Sequence, residues 1–149
     1  MDLQKNIERL LDMESIKNLR IRYTHALDSM HISEAITVFS ADAFCQTDRD
    51  PWIGRNAIRQ GLEKAFKDYD VENYGSYPFM HIVSNHLIEF KNDYQATGKC
   101  YLVDTVTQRE KDEFPLLLLG VYIDEYEKIN GQWLIIKSHL NVNWPERNY

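Results

Sequence analysis

Two cysteines are all the chain has, and they form no CxxC pair. A disulfide framework and a thiolate metal site therefore lack support. Cys45 and Cys100 each fall in an apolar run, where a small buried thiol is the expectation. Four prolines and six glycines in 149 residues leave no linker, repeat or low-complexity stretch. The densest apolar run, Leu116 to Leu119, is far below the roughly 20 residues that cross a bilayer. The opening MDLQKNIERLLDMES is charged and amphipathic and has no apolar core of a secretion signal. Basic clusters are missing too, and a net charge of −6 gives no general attraction to nucleic acid or anionic membranes. No GxGxxG, Walker loop, GxSxG or HExxH occurs, and five scattered histidines make no metal-ligand spacing. These absences lead to the expectation of a soluble, cytoplasmic protein with no metal, cofactor, nucleic-acid partner or membrane association.

What is present suits one globular domain over 1–149, with an apolar fraction of 44% and a charged fraction of 27%. Nine Tyr, six Phe and three Trp are enough to line an apolar cavity as well as fill a core. Helical spacing predicts a long first helix over 2–30, with 13–15 as the point where it could break. Its apolar face carries Ile16, Leu19, Tyr23, Ala26, Leu27 and Met30. A short helix is expected at 33–39 with Ser33 as its N-cap, a strand at 43–47, and a third helix at 55–67 bearing Ile58, Leu62, Ala65 and Phe66. From Phe79 the period changes to two, predicting strands at 80–90, 95–108, 116–129 and 132–144. Asn130-Gly131 is the strongest hairpin signal. Helices followed by a meander predict an α+β fold, in which a curved antiparallel sheet is closed by about three helices into a cone around a pocket. The loop 68–78, with Tyr69, Tyr74 and Tyr77, is the expected lid.

Two polar residues stand out against this pattern. Asp28 flanks the apolar face of the first helix, where a carboxylate is costly to bury without a partner. It either caps the next helix, sits in water, or meets a partner from elsewhere. His81, Val83, Asn85 and Leu87 alternate along one face of the first long strand, and both faces of that strand carry apolar residues. His81 is thus either a satisfied core histidine or a group that exchanges protons near neutral pH. His25, His31 and His86 are read as surface or packing residues.

Asp28 closing the first helix, His81 opening the meander, and the ending Tyr126-Glu127-Lys128-Ile129-Asn130-Gly131-Gln132-Trp133 together resemble the SnoaL-like branch of the NTF2-like superfamily. Gly120-Val121-Tyr122-Ile123-Asp124-Glu125-Tyr126-Glu127 is similar to the hairpin strand of hexachlorocyclohexane dehydrochlorinases. Ile129 to Trp133 with Asn143-Trp144 is similar to the ending of scytalone dehydratase. The resemblance implies a cone with an Asp–His dyad at its floor, His81 as base and Asp28 as its orienting carboxylate. It also gives Asp28 the partner it lacks. The chain departs from both relatives. Leu27 stands where the dehydratase has Tyr before its Asp, and Cys100-Tyr101-Leu102-Val103 offers no second His. Tyr23 stands where the dehydrochlorinases place a Lys, and no late-strand Arg matches.

Substitutes for the missing groups are Tyr23 and Tyr101 as hydroxyl donors, Asn85 as a positioning amide, and His139, Asn141 and Asn143 alternating along the last strand. The function implied is a lyase of the dehydratase type, or an isomerase, acting on a small cyclic, aromatic or polyketide-like compound without a cofactor. The alternative is a non-catalytic ligand-binding or assembly module of the same fold. Apolar residues on both sheet faces, with helices to cover only one, predict a homodimer or homotrimer.

Overall fold

The computed structural model describes residues 2–75 and 78–146. Helix α1 runs unbroken over Leu3–Asp28, capped by Asp2, whose side chain accepts the Gln4 N–H. It is followed by the short helix α2 (Ile32–Ala35), a 3-10 turn (Ile36–Val38), strands β1 (Phe39–Gln46) and β2 (Trp52–Ile53), and helix α3 (Arg55–Tyr69). The meander is β3 (Phe79–Phe90), β4 (Gln95–Val106), β5 (Leu116–Ile129) and β6 (Gln132–Trp144). The four long strands fall within two residues of their expected bounds. The expected helix at 33–39 is shorter, and Ser33 is not its cap: His31 occupies that position without a side-chain bond. Tertiary packing decides the difference, because Phe39 is fully buried and pairs in extended form opposite Ile135 of β6. Met30 likewise lies beyond the helix end, in left-handed backbone and partly exposed.

One six-stranded sheet has the order β2-β1-β6-β5-β4-β3, antiparallel except for the β1–β6 pair. Asn130 and Gly131 both take positive φ, as a two-residue primed hairpin turn requires. The inner face is covered by α1 and α3, and α1 buries Ile16, Leu19, Tyr23, Ala26 and Leu27 against it. Ala96, Cys100 and Leu102 on β4, Tyr122 and Tyr126 on β5, and Trp133, Ile135 and Leu140 on β6 complete the core. Both cysteines are buried thiols, with no disulfide. The outer face keeps Ile82, Leu87, Tyr101, Leu119 and Ile123 exposed. No helix among the described residues is long and apolar enough to cross a membrane.

Two irregularities set which side chains reach the interior. In β3 the register shifts between Ser84 and Leu87, where Asn85 adopts φ 50°. Asparagine tolerates this left-handed conformation better than most side chains. Phe79, His81 and Val83 point inward before the bulge, whereas His86, Ile88 and Phe90 do so after it. A second shift, opposite Glu125 and Tyr126, changes the phase of β6 from Trp133 and Ile135 to Ser138 and Leu140. Bulges of this kind bend a sheet and re-aim its side chains.

Candidate active site

The carboxylate of Asp28, at the last residue of α1, holds His81 at two points. One oxygen accepts the His81 backbone N–H at 2.9 Å and the other lies 2.6 Å from Nδ1 of the ring. Sequence-distant elements meet here: the end of α1 and the second inward position of β3. A carboxylate only accepts, so Nδ1 is the donor, and in the neutral ring Nε2 carries the lone pair. Nε2 lies 3.6 Å from an oxygen of Asp104, the residue directly opposite His81 on β4. The His81 ring is 8% exposed and the Asp104 side chain 10%, so water reaches neither freely.

Burial pulls the His81 ring toward neutrality, but the Asp28 hydrogen bond and the charges of Asp104 and Asp28 outweigh it and raise its pKa. Burial, reinforced by the Asp28 charge and opposed by His81, pushes Asp104 up to about 6. The cavity beside these groups is about 60 Å³. Tyr23 and Leu27 of α1, Leu62 and Tyr69 of α3, Trp52, Phe79, Leu102, Tyr122 and Leu140 form its apolar walls. Trp52 lies across α3 at Gly61, where an added Cβ would fall 2.0 Å from the indole ring. Tyr69 donates its hydroxyl to Asp48, also on the wall.

Of the residues singled out by sequence, Asp28, His81 and Tyr23 come together. Tyr23 packs edge-on against Phe39 and Tyr122. The other four do not join them. Asn85 sits exposed at the β3 bulge, which ends the alternation that linked it to His81. Tyr101 lies on the outer face of β4, 52% exposed, because Cys100 and Leu102 take the inward positions. His139 and Asn141 share the outer face of β6 after its phase change. The His139 ring bonds to Gln46, and the Asn141 amide donates to Asn143. Tyr74 is exposed, and Tyr77 lies outside the described residues. No cluster of three or more His, Cys, Asp or Glu side chains able to hold a metal occurs among the described residues.

A second buried network underlies the cavity. Arg20 projects from the core face of α1 and places Nη2 2.7 Å from both Asp124 oxygens and 3.0 Å from the Ser138 hydroxyl. Its guanidinium lies 3.8 Å from the Tyr122 ring centroid. Tyr126 donates to Asp124 and is 2.9 Å from Nε2 of His86. With its proton so committed, the Tyr126 oxygen accepts from His86.

His86 and Asp104 give opposite pH dependence to stability. Burial, with the charges of Arg20 and Lys17, lowers His86 to about 4. The unfolded chain therefore binds more protons between about 6.5 and that value, and stability is lost as pH falls through the window. Asp104, raised to about 6, binds more protons when folded, so its contribution is lost as pH rises from about 4 to 6. Denaturant midpoints measured across this range should separate them. His86→Gln should remove the part that rises with pH, and Asp104→Asn should remove the part that falls.

The SnoaL-like domain family matches residues 8–139. Among solved structures, a cystatin-like-fold protein of unknown function from Nostoc punctiforme PCC 73102 is similar over 91% of this chain and 93% of its own, with TM-score 0.78 and 23% identity. A protein of Novosphingobium aromaticivorans DSM 12444, provisionally named a scytalone dehydratase, aligns over 93% and 88% with TM-score 0.73 and 24% identity. The hexachlorocyclohexane dehydrochlorinase LinA-type3 of Novosphingobium barchaimii LL02 aligns over 93% and 91% with TM-score 0.76 and 18% identity. At these identities the likeness is one of fold.

Proposed function

The chain belongs to the SnoaL-like domain family, and we propose that within it this protein is a lyase of the dehydratase type, or an isomerase, that uses Asp28 and His81 to move a proton. The observation that carries this reading is the 2.6 Å contact of Asp28 with Nδ1 of His81 at the wall of an aromatic-lined cavity. Nε2 takes a proton next to an electron-withdrawing group, and the adjacent carboxylate stabilises the imidazolium that forms. The walls suit a small cyclic or aromatic substrate. Two structural relatives bear the names of a dehydratase and a dehydrochlorinase, both eliminations.

Incubation of the protein with a panel of cyclic β-hydroxy ketones, followed by absorbance of the conjugated product, tests the reading. Turnover above the buffer rate is expected. If none is turned over and native mass spectrometry finds a ligand held unchanged, the protein is a binding module instead.

The rim of the cavity opens for entry of such a ring. The segment following α3 adjoins Tyr69 of the cavity wall, and its residues 71–75 are exposed. Asp70 pins its start by accepting the backbone N–H groups of Tyr74 and Gly75. Amides of 71–75 should exchange faster than those of β4 and slow down when a ring compound binds. Exchange as slow as in the strands, unaltered by ligand, contradicts a lid.

We also propose a homodimer or homotrimer joined through the outer sheet face. Ile82, Leu87, Tyr101, Leu119 and Ile123 are between 38% and 59% exposed there, and Leu3, Ile7, Leu10 and Leu11 add an exposed stripe on α1. Light scattering should give a small multiple of 17.7 kDa at micromolar concentration; the monomer mass would contradict it.

A further inference from the structure

Asp104 is a buried carboxylate at the cavity with no role in the dyad; Asp48, the other carboxylate on the wall, is already held by Tyr69 and Arg49. Asp104 follows the inward alternation of β4, after Cys100 and Leu102, and its register partner is His81. One of its oxygens is 3.6 Å from Nε2 of His81, and the other is buried with no hydrogen-bond partner among the described residues. A buried carboxylate oxygen left unpartnered is unfavourable in a merely structural position. The same oxygen suits a group that binds or protonates a guest.

Resting on the elimination reading, we propose that Asp104 is the acid of this site, protonating the departing oxygen while His81 takes the proton from the neighbouring carbon. The substrate class narrows accordingly to β-hydroxy carbonyl compounds. Hydroxide leaves poorly unless protonated, whereas halide or carboxylate needs no acid. The C–H bond breaks with its proton going to Nε2, and the electron pair forms the new C=C bond. The C–O bond breaks with its pair kept on oxygen, which takes the Asp104 proton and departs as water. The imidazolium then returns a proton to the Asp104 carboxylate facing it, and both groups regain their starting state. No outside acid or base is consumed.

The active form holds one proton on the His81–Asp104 pair. The elevated pKa of Asp104 is consistent with such sharing. Other charged or titratable groups around the pair are Asp28, Arg20 and Tyr23 from α1, Asp48 beyond β1, Tyr69 from α3 and Tyr122 from β5. A second proton, or loss of the only one, stops the reaction, so the rate is bell-shaped in pH.

The test compares wild type with Asp104→Asn on two probes, 3-hydroxy-1-tetralone and its 3-acetoxy counterpart, with the carboxyl carbon of Asp104 and the ring nitrogens of His81 titrated by NMR. The variant should lose about 10²-fold or more on the hydroxy probe, in the range a positioned acid supplies, and little on the acetoxy probe. Its pH profile should become a single limb rising with pH, at a lower midpoint, because the charge that raised His81 is gone. In the wild type the two groups should titrate together. Equal rates on the hydroxy probe, equal losses on both probes, or an Asp104 carboxyl that titrates independently of His81 would overturn the acid role while leaving the dyad standing. A wild-type protein that turns over neither probe would remove the elimination reading itself.

Discussion

His81→Ala is expected to lower turnover by about 10²–10⁴-fold, the contribution of a positioned general base, with the fold retained. Asp28→Asn should fall in the same range for a separate reason. The Asp28 oxygens accept from two His81 donors, the backbone N–H and Nδ1. An amide has only one oxygen, so its NH2 must face one of these sites. If the oxygen keeps the backbone N–H, the NH2 donates to Nδ1 and drives the ring proton to Nε2, where a proton can no longer be taken. The protein would stay folded with its base in the wrong tautomer. Thermal unfolding separates this from structural damage. Sites built for chemistry tend to be suboptimal for stability, so both variants should unfold at or near the parent midpoint. Two unfolded variants would make Asp28 and His81 a structural pair.

The largest effect on stability is expected at Arg20, whose side chain is 1% exposed and faces an Asp124 side chain at 0%. Arg20→Ala leaves the Asp124 carboxylate buried with the Tyr126 hydroxyl as its remaining side-chain partner among the described residues. Breaking a buried pair from one side costs about 3–5 kcal/mol. Removing both charges, as in Arg20→Met with Asp124→Leu, should cost much less than the sum of the single changes, because no charge is left uncompensated. Urea denaturation of the four proteins measures this coupling. A single-variant cost below about 1 kcal/mol would mean that water reaches the pair. The network also matters for the site, since Arg20 lies against Tyr122 and Tyr23, both on the cavity wall.

The meander is legible in the sequence because long strands, period-two alternation and an Asn-Gly turn all point the same way. Dyad geometry is legible only through resemblance, since nothing in the spacing of Asp28 and His81 brings them together. Alternation fails at two places, and both are bulges. Counting assigns Asn85 to the His81 face, but the extra residue in β3 puts it outside and turns His86 in. His139 and Asn141 do share one face, and the β6 phase change makes it the outer one. Bulges have no dependable signature, although an asparagine in a strand interior is a hint.

Asp104 has a signal that a search for histidines and tyrosines overlooks. It continues the series Ala96, Gly98, Cys100, Leu102, whose small and apolar side chains mark the covered face. The same count places Tyr101 outside. Arg20 is hidden by its charge, which reads as solvent-facing until Asp124 is recognised on the inward phase of β5 between Tyr122 and Tyr126. A charge lying on an apolar stripe in each of two elements is the signal of a buried pair.

Proton removal from carbon by His81 inside the cavity can be measured without knowing the natural substrate. 1-Tetralone, an aromatic cyclic ketone with exchangeable α-hydrogens and no leaving group, is incubated in D2O with the wild-type protein or with His81→Ala, and the α-proton signal is followed by NMR. Exchange well above the buffer rate is expected with wild type, and a return to the buffer rate with the variant. Exchange at the buffer rate with wild type, or equally fast exchange with His81→Ala, would contradict the role of His81 as the base.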